Sequence, residues 1–213
     1  MKPLPYLFEL QTKLFSITRF GSRDESIGED IAFYSYDEFG QYLANQFKVN
    51  NESVPVFRFS NILALEIVQA PLIVNIDTEG YKNILEDIID VGLNYDYTYY
   101  IYSTANHTLD NPKLIVLLPF DKDITRENYD IVVGNLIELL DFRLIDDDTL
   151  PSKIGVEDRL GINKDSLGYN KLIQAPFTPN DNYKPLIISE IREKVLSLNS
   201  FLTPISDGLK KVN

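Results

Sequence analysis

The chain has 213 residues, 44% of them hydrophobic and 24% charged, values that fit a globular protein able to bury a sizeable core. It has no Cys, no Trp and one His, which excludes disulfides, thiolate metal sites, cysteine nucleophiles and two-His metal motifs. A formal net charge of −12 opposes non-specific contact with nucleic acid and leaves room only for a local basic groove.

The N-terminus has two early prolines and no long apolar stretch, so it does not read as a secretory signal. No apolar run approaches the roughly 20 residues that span a bilayer. The expectation is a soluble, cytoplasmic protein of one domain with no membrane partner.

In chain order, Phe15 to Phe20 reads as a strand and Ile31 to Tyr36 as a shorter one. Asp37 caps a helix from Glu38 to Phe47, with Phe39, Leu43 and Phe47 on one face. Val54 to Phe59 alternates, and Pro55 assigns it to a sheet edge. Asn61 to Gln69 is apolar and ambiguous between helix and strand. Leu72 to Ile76 follows Pro71 and reads as a buried strand. Thr78 to Val91 is helical, with Tyr81, Ile84, Leu85, Ile88 and Val91 apolar, and Gly92 stops it.

Tyr97 to Tyr102 and Lys113 to Pro119 are strands, and Thr125 opens a helix with Tyr129, Val132, Val133, Leu136 and Leu140 apolar. Asp141 to Gly168 reads mostly as a long loop. Lys171 to Ala175 is the expected closing strand, and Pro185 to Leu198 a C-terminal helix with Ile188, Ile191, Val195 and Leu198 apolar. The order is β-α-β-β-α-β. This is an α/β (α+β) fold with an RNA-recognition-motif-like or ferredoxin-like split core. The expected division is an N-terminal αβ module over 1–70, the core over 71–180, and a C-terminal helix within 181–213.

Several residues in this frame are suited to chemistry. Asp77 ends the strand after Pro71, where a carboxylate binds a divalent cation or, alternatively, caps the next helix. His107 lies between two strands, suited to phosphate contact or proton transfer, or else simply exposed. Asp146, Asp147 and Asp148 form an acidic triplet that either coordinates metal or is solvated. Tyr95, Tyr97, Tyr99, Tyr100 and Tyr102 offer stacking faces or core packing.

The order of these pieces resembles the archaeo-eukaryotic primase (primase–polymerase) superfamily, especially its plasmid and phage members, over about half the chain. The matching pieces are Asn75-Ile76-Asp77, Ala105-Asn106-His107, the strand Lys113–Pro119, the helix start at Thr125, Ile145-Asp146, and Gln174 to Pro179. The resemblance implies Asp77, His107 and Asp146 as catalytic residues. It implies His107 and Lys113 as nucleotide-binding residues, and Asp77, Asp146 and Asp148 as ligands of Mg²⁺ or Mn²⁺. The partners implied are a nucleoside triphosphate, a DNA template and a further replication protein.

Asn75 stands where the family carries a metal carboxylate, so two readings remain. One is metal-dependent nucleotidyl transfer. The other is a non-catalytic nucleotide-, DNA- or protein-binding module, including an acidic partner of a basic protein.

Overall fold

The computed structural model describes residues 14–46, 54–68, 78–104, 113–140, 143–145, 161–176 and 186–203. Two sheets face each other. The first strands are β1 (Phe15–Phe20), β2 (Glu29–Phe33), β3 (Val56–Phe59) and β4 (Ile62–Val68), with helix α1 (Tyr36–Gln46) between β2 and β3. Then come α2 (Thr78–Gly92), β5 (Tyr99–Ser103), β6 (Lys113–Pro119), α3 (Arg126–Leu139), β7 (Arg143–Ile145), β8 (Gly161–Asn163), β9 (Ile173–Gln174) and β10 (Ile187–Glu190). One sheet has the order β2-β1-β3-β9 and the other β10-β5-β6-β4-β8-β7.

Within the larger sheet, β4-α2-β5-β6-α3-β8 is the split unit. Its strands lie side by side as β5-β6-β4-β8, with every one of those pairs antiparallel. That is the ferredoxin-like order. β4 and β6 pair along their whole lengths, from Ile62 opposite Pro119 to Val68 opposite Lys113.

Period-two alternation explains why these strands read as unbroken apolar runs. Leu63, Leu65 and Ile67 of β4, with Leu114, Val116 and Leu118 of β6 and Tyr99 and Ile101 of β5, face α2 and α3. Ile62, Ala64, Ile115, Leu117, Tyr100 and Tyr102 point the other way, into a second core with α1 and the smaller sheet. Each buried Leu, Ile or Val contributes about 1.5–3 kcal/mol. The tyrosines of β5 therefore serve packing rather than an open stacking surface. Under α1 the rings of Phe15, Phe33, Phe39 and Tyr100 form edge-to-face and stacked pairs 5.0–5.3 Å apart.

Several expectations need correction. The central strand of the split unit is β4, drawn from the ambiguous run at Asn61 to Gln69; Leu72 to Ile76 lies outside the described residues. The segment 54–59 is no edge strand: β3 lies between β1 and β9, and Pro55 just precedes it, its carbonyl accepting the Ala175 amide at 2.9 Å. The closing strand is β8, within the stretch read as loop, while β9 pairs with β3 in the other sheet.

The described residues of the expected C-terminal helix, 186–198, form no α-helix. Ile187 to Glu190 forms β10 on the open edge of β5, and Leu198–Phe201 is a 3₁₀ turn. Two consecutive isoleucines beside an unpaired edge favour the ladder over a helix. Among the described side chains of α2 and the residue that follows it, Leu85, Ile89 and Leu93 are buried, whereas Val91 is 67% exposed. All five apolar residues expected of α3 are buried, Tyr129, Val132, Val133, Leu136 and Leu140.

Candidate functional site: a cationic groove between the sheets

Along the face of β4 that meets the smaller sheet, alternation runs Ile62, Ala64, Glu66. The first two are in the second core, but the third is a half-buried carboxylate. The neighbouring strands change character at the same level. Ile115 stands opposite Glu66, and Tyr102 opposite Ile115. Asn163 of β8 lies on the other side, its amide nitrogen 3.4 Å from Glu66 Oε2. Lys113 opens β6 opposite Val68, and the Thr104 amide donates to the Lys113 carbonyl at 3.0 Å.

From the smaller sheet, Arg23 in the β1–β2 connection and Lys171 to Gln174 leading into β9 close the space. The result is a cavity of about 220 Å³ lined by Arg23, Glu66, Lys113, Asn163 and Lys171 among others.

Three cations therefore surround one carboxylate, in a chain that has 20 basic and 32 acidic residues. Arg23 and Lys171 make no ion pair among the described residues. Charge-assisted hydrogen bonds to an anion are the natural use of such groups. The floor is fixed: the buried Tyr102 hydroxyl donates to the Gln174 carbonyl at 2.7 Å and ties the two sheets together. Burial, and then the nearby Glu66 charge, pushes its pKa well above the ordinary tyrosine value, so it stays a neutral donor.

Of the residues singled out in the sequence, Lys113 lies in this groove. Asp77, His107, Asp146 and Asp148 lie outside the described residues. The chain leaves β4 at Val68, leaves β5 at Ser103 and enters β6 at Lys113, all at one end of the sheet. The connections that carry Asp77 and His107 thus start from the groove's end of the sheet. Among the described residues no three His, Cys, Asp or Glu side chains group as metal ligands. Glu66 was missed in the sequence. Its signal was a lone carboxylate, in phase with Ile62 and Ala64, inside an otherwise apolar run.

The chain is an α+β domain whose split unit is a ferredoxin-like antiparallel sheet, with α2 and α3 on one face and the cationic groove on the other. Over residues 64–154 it is similar to the VapE N-terminal domain, a family associated with phage and plasmid replication. The match begins within β4, takes in α2, β5, β6, α3 and β7, and ends before β8. No curated protein and no solved structure matches the chain. Among the described residues no helix is long and apolar enough to cross a membrane.

Proposed function

We propose that this chain is a replication-associated protein of the primase–polymerase kind, from a phage or plasmid, whose groove binds the phosphates of a nucleoside triphosphate. The observation that carries this reading is the set Arg23, Lys113 and Lys171 around Glu66 on the central strand. The similarity of residues 64–154 to a phage- and plasmid-associated domain supports it. In this reading Lys113, Lys171 and His107 hold phosphate oxygens. Glu66, Asp77, Asp146 and Asp148 supply carboxylates for Mg²⁺ or Mn²⁺.

The donor set fits a cation shared with the substrate, since Mg²⁺ takes one or two protein carboxylates and fills its shell from water and phosphate. When bound, that ion would neutralise phosphate charge and polarise the transferring group. The Glu66 carboxylate and the Asn163 amide are the groups of the described groove suited to orienting it.

Calorimetric titration with a nucleoside triphosphate, with and without Mn²⁺, is the test. Binding should weaken about tenfold or more in Lys113→Ala and Lys171→Ala, the loss expected for a charge-assisted contact. Its metal dependence should fall in Glu66→Gln and Asp77→Ala. Wild-type protein that binds no triphosphate in either condition overturns the reading.

A second reading follows from the excess of cations over carboxylates in the groove: binding of nucleotide or DNA without turnover, in support of another replication protein. Tight triphosphate binding with no product in a primer-synthesis assay would favour it.

A further inference from the structure

We propose that the outer edge of β2 is a docking site for an extended, basic segment of a partner protein, which adds to the smaller sheet as a further strand. The inference does not rest on the nucleotide reading. Four strands end the two sheets, β2, β9, β10 and β7, and β2 is the longest of them at five residues. Only β1 pairs with it, from Phe15 opposite Phe33 to Arg19 opposite Glu29. Its outward amides and carbonyls therefore have no strand partner among the described residues, which makes the edge a template for another chain. Both ends of the strand are fixed. At the start, a Cβ on Gly28 would stand 2.8 Å from the Phe20 ring, so glycine lets the chain lie close against β1. At the end, the Tyr34 amide donates to Glu38 Oε2 at 2.9 Å and the Glu38 amide to Ser35 Oγ at 3.0 Å, which opens α1. An edge already held in strand form spares an incoming segment part of the ordering cost.

Charge and apolar surface set the chemistry of that segment. Between Arg23 and Lys48 the sequence has six carboxylates, Asp24, Glu25, Glu29, Asp30, Asp37 and Glu38, and no Lys or Arg. Glu25, Asp30, Asp37 and Glu38 accept hydrogen bonds from neutral groups, and none of the six makes an ion pair among the described residues. Arg19 stands opposite Glu29, and Arg58 lies over the Phe20 ring two strands in, but neither closes an ion pair with them. Two large apolar side chains frame the strand in the open, Ile27 at 85% exposed and Tyr34 at 48%. An extended chain covers the distance between them in about 23 Å. Charge at a sheet edge keeps like edges apart, and a single sign also chooses among partners. A second copy would bring the same carboxylates to the edge. Lys and Arg side chains on an incoming strand would meet them. The β10 edge offers no such field, since Arg192 and Lys194 beside it are bound to Asp90 and Asp96.

The probe is a labelled peptide that alternates lysine and valine over about eight residues, enough to span the edge, titrated into the full chain by polarisation. Wild type should bind it and should not bind the glutamate–valine counterpart. Nor should it bind the lysine–valine peptide methylated on alternate backbone nitrogens, which keeps the charge but cannot form the ladder. Hydrogen exchange of the β2 amides should slow in the complex. Glu29→Lys and Ile27→Ser, both at exposed side chains, should each weaken binding about fivefold. If wild type binds no lysine–valine peptide, or binds the methylated one equally well, the edge is not a docking strand and the proposal falls. It falls too if the free protein sediments as a dimer with its β2 amides already protected, because a second copy then holds the edge.

Discussion

Tyr100 and Tyr102 each do two jobs. Their rings fill the second core, and their hydroxyls reach across it, Tyr100 to the Tyr36 carbonyl and Tyr102 to the Gln174 carbonyl, both at 2.7 Å. Removing the second hydroxyl in Tyr102→Phe leaves a carbonyl unsatisfied at the groove floor. It should cost about 1–2 kcal/mol in urea unfolding, with little change in the slope against denaturant. Burial raises both hydroxyl pKa values well above 10, and pushes that of the half-buried Tyr42 up to about 12. The unfolded chain loses these protons near pH 10. Their contribution to stability is therefore whole below pH 10 and is lost as pH rises through the folded values, for Tyr42 between 10 and about 12. The urea midpoint should hold steady from about pH 8 to about pH 10 and then fall, less steeply in Tyr102→Phe. A midpoint that is flat up to about pH 11.5 would contradict this. Lys113 was legible in the sequence as the basic residue of its strand. Glu66 was not, because one carboxylate in a run that suits helix or strand gives no phase until the register with Ile115 and Asn163 is known.

Helix α3 shows what periodicity can deliver. Its apolar stripe was readable because all five positions face one core, and Thr125 marks its start by backbone alone, with no side-chain cap bond. Gly134 lies in its middle with nothing within 4 Å of where a Cβ would stand. Glycine there costs backbone entropy without gaining a close approach, so Gly134→Ala should stabilise the protein by about 0.5–1 kcal/mol, read as a higher urea midpoint. No gain would mean that the helix face is covered in solution. Strand β6 was equally readable, bounded by Pro112 and ended by Pro119. The C-terminal segment misled because Ile188, Ile191, Val195 and Leu198 have helical spacing. Its partner, the edge of β5, lies almost ninety residues earlier and leaves no local trace. In the same way β9 joins β3 across more than a hundred residues, a pairing that no window of sequence contains. The similarity to a known domain begins within β4, yet the groove needs Arg23 and β9 from the smaller sheet, so the matched stretch alone does not build it.

At the scale of the whole molecule, a charge of −12 and the proposed binding of a triphosphate pull against each other, and the fold meets this by position rather than by composition. Basic residues scattered along the chain converge on the groove from three places: Arg23 after β1, Lys113 on β6 and Lys171 before β9. Other cations meet carboxylates, as where Arg192 meets Asp90 at 2.8 Å and Lys194 meets Asp96 at 2.6 Å. The net negative charge repels polyanions in general, so triphosphate binding should be confined to the groove and weaken as salt rises, because screening acts on each of its contacts. Arg23→Ala combined with Lys171→Ala removes two of the three cations and should flatten that salt dependence. The measurement is calorimetric titration with a nucleoside triphosphate across a range of salt for wild type and the double variant. A salt dependence unchanged in the double variant would mean that Arg23 and Lys171 do not meet phosphate.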